Sequence, residues 1–406
     1  MERIKIIVAI LIVGLLFSCK KEVNKTELKE GYWRAEIDMQ NQLLPFNFEV
    51  IKEGERYKAN LINGKETISL DEVEVVGDSV FITLHIFDID LRAKINGDSL
   101  SGLYIKNYKD NYRIPFTAVH GKSDRFENPT SSSSFDGNWQ TTFVEQGVRS
   151  YPAVGIFKKE GDLLTGTFLT ETGDYRYLEG YTKDNKMSLH TFDGNHAFIF
   201  NATIKNDTLK GEFLSGQSYK ESFTAYKDAN AKLTNATALT YLKEGYDKIE
   251  FSFPGLDGNP VSLKDEKYRN KIVMLQIFGT WCPNCMDETK FYANWYKNNK
   301  DKGVEIIGLA YEAKDDFEYA KARVDKMKKK YNVAYDYVIA GIYDKEAAAK
   351  TLPMLNHVLS FPTTIFIDKK GKVRRIHTGF SGPATGKYYD EFVEDFNNFM
   401  NKLINE

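Results

Sequence analysis

Lys271–Glu288 reads K-I-V-M-L-Q-I-F-G-T-W-C-P-N-C-M-D-E, and this stretch decides the fold of what surrounds it. Ile272 to Phe278 is an apolar run with the length and branched content of a buried parallel strand, and it breaks at Gly279. A helix-compatible segment opens at Cys282. Its first turn carries unpaired backbone N–H groups and the positive end of the helix dipole, a setting that suits a thiolate nucleophile. Pro283 fits the same turn, where its missing donor is not needed. Cys285, three residues on, shares the helix face with Cys282 and can close a disulfide with it.

Trp281-Cys282-Pro283-Asn284-Cys285 after such a strand resembles the thioredoxin superfamily. With Thr280 before it and Glu288 after it, the motif is similar to the membrane-anchored branch typified by the TlpA and ResA proteins. Ser360-Phe361-Pro362-Thr363-Thr364 ahead of Ile365-Phe366-Ile367 matches that family's cis-proline loop. The resemblance covers residues 248–406 and implies an α/β thioredoxin-like domain there. It also implies a thiol-disulfide oxidoreductase whose redox disulfide is Cys282-Cys285, acting on protein disulfides with electrons from a transmembrane donor. Trp281, Phe361, Pro362, Gly379 and Phe380 are the expected substrate rim.

Cys282 is expected to attack and Cys285 to resolve, because only the first lies at the helix end with outward access. Gln276 cannot ionise, so Glu288, a turn along the helix from Cys285, is the expected proton acceptor. A zinc site needs two more ligands than one C-x-x-C supplies, and the chain has three cysteines and six histidines with no H-x3-5-H spacing. No metal or other cofactor is implied. A peroxiredoxin pattern would need proline near Leu275 or Gln276, and none is there.

Working outward, the N-terminus carries Arg3 and Lys5 before an apolar run from Ile6 to Phe17, ending in Leu16-Phe17-Ser18-Cys19. This resembles a bacterial lipobox. It implies a signal peptide over 1–18, lipid on Cys19, a tether over 19–30, and an envelope location on the periplasmic side or the cell surface. A net charge of -2 gives no electrostatic case for nucleic acid.

Residues 31–119 alternate apolar and polar side chains, as at Trp33, Ala35 and Ile37, with hairpin turns at Gly54, Gly64, Gly77 and Gly97. About eight strands follow, an antiparallel meander closed most simply as a barrel. Residues 137–226 repeat the pattern in register. Gly137-Asn138-Trp139 echoes Gly31-Tyr32-Trp33, and Leu189-His190-Thr191-Phe192-Asp193 echoes Leu84-His85-Ile86-Phe87-Asp88. A tandem duplication joined by a linker at 120–136 is expected. His85 and Asp88 point to opposite faces of a strand, which argues for a structural role over a catalytic pair. Ala, Leu and Lys over 227–247 predict a helical connector. Two functions of different class fit the whole: a tethered disulfide reductase, or a lipoprotein whose β modules bind a ligand or partner with the redox domain as accessory.

Overall fold

Each glycine turn read from the sequence joins two antiparallel strands in the computed structural model, which describes residues 27–406 apart from Gln146 and Val148. Glu53 pairs with Arg56, Asn63 with Glu66, Val76 with Ser79 and Asn96 with Ser99. Gly54, Gly64, Gly77 and Gly97 hold the positive φ that such tight turns need. The first strand, Gly31–Met39, pairs with both the second and the last, Arg113–His120, so eight strands close as an up-and-down barrel. Trp33, Ala35, Ile37 and Met39 face its interior.

Gly137–Glu145 to Tyr219–Lys227 close as a second barrel in the same strand order. Trp139, Phe143, Phe168, Phe200, Phe213 and Phe223 fill it, with Phe200 stacked on Phe213 at 4.5 Å between centroids. One short strand is extra: Gly173–Asp174, paired with the end of Leu163–Thr170.

The remaining chain forms an α/β unit. In order it contains β1 (Ile272–Phe278), α1 (Pro283–Lys297), β2 (Val304–Glu312), α2 (Phe317–Tyr331), β3 (Asp336–Ile342), α3 (Lys345–Thr351), β4 (Thr363–Ile367), β5 (Val373–Thr378) and α4 (Lys387–Asn405). The sheet order is β3-β2-β1-β4-β5, with β1, β2 and β3 parallel and the last two antiparallel. Every residue of central β1 is buried, as its unbroken apolar run requires. α2 buries Ala320, Val324 and Met327, which leaves its lysines on the other side, and α4 buries Phe392, Phe396, Met400 and Leu403.

Two expectations are corrected. Residues 227–247 are not helical beyond the end of the last barrel strand. Their backbone instead bonds to the α/β unit: Thr378 N–H donates to Ala236 O at 3.0 Å, Lys243 N–H to Met354 O at 2.8 Å and Val373 N–H to Asp247 O at 3.0 Å. These partners outweigh the local helix propensity of Ala, Leu and Lys. The tether does not run to residue 30, because Leu28 is 1% exposed in the first barrel and Trp33 Nε1 donates to Lys29 O. The 120–136 linker is packed: the buried Arg125 guanidinium donates to Pro45 O of one barrel and pairs with Glu179 of the other. The signal peptide and Cys19 lie outside the described residues.

The repeated Leu-His-x-Phe-Asp segments serve as docking points. Asp88 pairs with Arg323 at 2.5 Å and accepts from Tyr319 Oη at 2.9 Å, both on α2. In the second barrel Asp193 holds His196 and lies 3.4 Å from Arg176 Nε. His190 is buried beside Arg125, which pushes its pKa down to about 3, so it stays neutral.

Candidate active site

α1 begins as the sequence of its first turn dictates. Cys282 has extended backbone and caps the helix: its Sγ accepts the Cys285 N–H at 3.2 Å, and the first helical bond runs from Met286 N–H to Cys282 O. Cys282 Sγ also donates to Phe361 O at 3.4 Å. That bond places the proline loop beside the first sulfur, and its Phe361-Pro362 peptide is cis. Both cysteines are thiols, Cys282 6% exposed and Cys285 fully buried. Burial, then the neighbouring Cys282 thiol, holds the Cys285 pKa well above the usual thiol value.

Glu288 is fully buried one turn along α1 from Cys285. Its carboxylate accepts from Gln276 Nε2 at 2.9 Å, Thr364 Oγ1 at 3.0 Å and Tyr292 Oη at 3.1 Å. Desolvation nevertheless prevails over these donors and raises its pKa to about 7. A carboxyl poised near neutrality beside a buried thiol can take and return that thiol's proton.

A second buried acid, Glu312 at the end of β2, was not singled out from the sequence. It accepts from Thr280 N–H and Thr280 Oγ1, each at 2.8 Å, and burial raises its pKa to about 7 as well. It fixes the residue that leads into the cysteine motif. Trp281 is placed by its Nε1 donating to Tyr311 O at 2.9 Å and by edge contacts with Phe361 and Tyr343.

The expected substrate rim is brought together but is not open. The Glu171–Tyr175 loop of the second barrel lies over it. Ser360 Oγ donates to Thr172 O at 2.7 Å, Asn284 Nδ2 to Asp174 O at 3.0 Å and Gly382 N–H to Asp174 Oδ2 at 2.7 Å. Gly379, at φ +77°, packs so closely that an added Cβ would stand 2.9 Å from Glu171 O. Phe380 is buried beneath. The outward access expected for Cys282 is therefore corrected to access through a cavity of about 390 Å³ between the cysteine pair and the mouth of the second barrel.

Arg176 fastens this arrangement. Its buried guanidinium pairs with Glu66 of the first barrel at 2.5 Å and with Asp287 of α1, and it lies beside Asp193. Asn195, from the same barrel edge, donates to Trp281 O at 2.6 Å, while Tyr104 and Tyr108 of the first barrel bond to the 194–195 turn. No local pattern marks these residues; only their partners far along the chain do. Among the described residues no cluster of His, Cys, Asp and Glu could hold a metal ion.

The AhpC/TSA family model matches residues 245–376. The match concerns the fold, since Leu275 and Gln276, where a peroxiredoxin pattern would need proline, lie in mid-sheet, paired with Ile307 and Gly308 on one side and Ile365 and Thr364 on the other. The thiol-disulfide oxidoreductase ResA of Bacillus subtilis is 31% identical over 159 residues, which is 39% of this chain and 76% of that protein. ResA of Bacillus thuringiensis subsp. konkukian is 33% identical over 151 residues, 37% of this chain and 76% of that one. A solved thiol-disulfide oxidoreductase from Bacteroides fragilis is 22% identical, covering 36% of this chain and 99% of its own, with a TM-score of 0.28.

Proposed function

This chain belongs to the ResA family of thiol-disulfide oxidoreductases, and from that premise we propose that it reduces substrate disulfides through the Cys282/Cys285 pair. The observation that carries the reading is the Cys282 sulfur at the first turn of α1, accepting a helix N–H, with an ionisable carboxyl buried one turn behind Cys285. Cys282 attacks the substrate disulfide and forms a mixed disulfide, releasing the first substrate thiolate. Cys285 passes its proton to Glu288 and attacks Cys282 Sγ, releasing the second. The net change is protein dithiol plus substrate disulfide to protein disulfide plus two substrate thiols.

The reading extends to an exported protein, tethered through lipid on Cys19 at the periplasmic side of an envelope membrane or at the cell surface, and recharged by a transmembrane electron donor. Among the described residues no helix is long and apolar enough to cross a membrane. Cys282 is reached through the cavity, so the disulfides that it attacks are those that the cavity admits. The alternative, barrels that hold a ligand at their centres, finds no support in interiors packed with aliphatic side chains in the first barrel and aromatic ones in the second.

The test is oxidation of the reduced full chain by disulfides in single turnover, with Cys282→Ser alongside. Oxidation that depends on Cys282 is expected. Equal disulfide reduction by the Cys282→Ser protein would overturn the assignment.

A further inference from the structure

The barrel mouth over the cysteine pair has chemistry of its own. Trp281, Cys282 and Phe361 line one side of the cavity, while Tyr151, Tyr175 and Tyr219 of the barrel line the other. Around these stand groups of both charges, with Arg149 directly across the strand pair from Glu145 at the barrel edge. In the barrel, buried Glu221 accepts from Tyr151 Oη at 2.6 Å and from Tyr219 Oη, and Tyr151 bonds to Tyr175 at 2.8 Å. Glu145 sits directly across the strand pair from Glu221, so this part of the cavity is a carboxylate end framed by phenols.

Arg149 and Lys345 line the cavity too. Burial, then the Arg149 charge, lowers the Lys345 pKa while Cys282 opposes them, as suits an ammonium that stands near both. A substrate held here would find the Lys345 ammonium toward the sulfur and, at the barrel edge, Arg149 side by side with Glu145 and Glu221.

Two facts restrict what can enter. The volume, about 390 Å³, falls at the small end of the range of roughly 300 to 1,000 Å³ typical of small-molecule sites. The cover is also fastened. Lifting the second barrel would part Arg176 from Asp287, and breaking a buried pair of this kind is strongly unfavourable.

We propose that this cavity is the substrate site for a small zwitterionic disulfide of amino-acid type, its carboxylate meeting Arg149 and Lys345 and its ammonium meeting Glu145 and Glu221. The inference rests on the thiol-disulfide reading of Cys282 and Cys285 and names the substrate class of that site. The exchange balances as written above: two electrons pass from the dithiol to the substrate, one S–S bond breaks and one forms. The two product thiolates take up the protons that the cysteines give up.

The experiment uses the pre-reduced full chain, freed of reductant and mixed with one of four oxidants: cystine, its decarboxylated analogue cystamine, neutral bis(2-hydroxyethyl) disulfide, and insulin. Loss of protein thiols is followed in single turnover. Cystine is expected to react at least about tenfold faster than the other two small disulfides and to saturate. Arg149→Ala with Lys345→Ala should erase the preference for cystine over the neutral disulfide, and Glu221→Gln should weaken cystine saturation while sparing the neutral one. The wild-type comparison needs no variant to fold. Equal rate constants for the three small disulfides, or faster oxidation by insulin than by cystine, would overturn the pocket assignment. Oxidation by none of the four would instead sink the oxidoreductase reading on which it rests.

Discussion

Replacing Glu288 by Gln should make the protein slower and more stable at once. In the folded chain the Glu288 pKa is raised from 4.5 to about 7 by burial. The folded state therefore holds this proton more tightly than the unfolded one. Stability from this group is fully present below about pH 4.5 and is lost as pH rises towards 7; above that both states are ionised and the loss is complete. At about 1.4 kcal/mol per pKa unit, a shift of this size corresponds to about 3 kcal/mol for a fully buried group. Gln carries no such linkage, and the Gln276 amide beside it can turn its oxygen to receive the new N–H. The variant should thus gain about 3 kcal/mol relative to wild type between pH 4.5 and pH 8. Glu312 titrates in the same window in both proteins, so it cancels in the comparison. Meanwhile release of the mixed disulfide should slow by about tenfold or more at neutral pH, with loss of the inflection near pH 7. Denaturant unfolding at the two pH values and a single-turnover pH profile measure both. An identical pH dependence of stability and of rate in the two proteins would refute the reasoning.

Cys285→Ser should accumulate mixed disulfides on Cys282 while Cys282→Ser accumulates none, because attack does not need the second thiol but release does; mass spectrometry reads this directly, and the opposite pattern would reverse the roles. Arg176→Met leaves Glu66, Asp193 and Asp287 near one another without their cation. It should cost about 3 to 5 kcal/mol and speed alkylation of Cys282 by a bulky maleimide; unchanged stability and alkylation would show that the guanidinium does not fasten the cover. Gly379→Ala, at φ +77° and with a Cβ 2.9 Å from Glu171 O, should lower the unfolding midpoint and likewise open Cys282 to the maleimide, by displacing the 171–175 loop. Alkylation at the wild-type rate would mean the loop does not guard the sulfur.

What was legible in the sequence was what short spacing encodes. Cys282, Cys285 and Glu288 lie on one helix start, so a few residues of pattern place all three. The glycine turns at 54, 64, 77 and 97 fix hairpins in the same local way. Arg176 is the contrary case: its partners stand 110 and 111 residues away, and nothing around Tyr175-Arg176-Tyr177 differs from an ordinary strand approach. The 227–247 segment failed for a related reason. Its composition favours helix, but its N–H and C=O groups found partners on Met354, Asn356, Val373 and Thr378, which no window around the segment contains. The closed rim is a third instance, since the Gly379-Phe380 loop carries no mark of the Glu171–Gly173 backbone against it.

The three-way engagement of Arg176 also orders the birth of the protein. Whether from the ribosome or across a membrane, the chain emerges N-terminus first, so Glu66 and Asp193 can meet this cation as the barrels form, whereas Asp287 follows 111 residues behind it. Until α1 emerges, the second barrel presents an incompletely neutralised guanidinium and a bare loop at 171–175, the surface that later roofs the cysteines. The barrels can thus form before the helix whose thiols they enclose, so that the roof over the reactive pair is in place when the pair arrives.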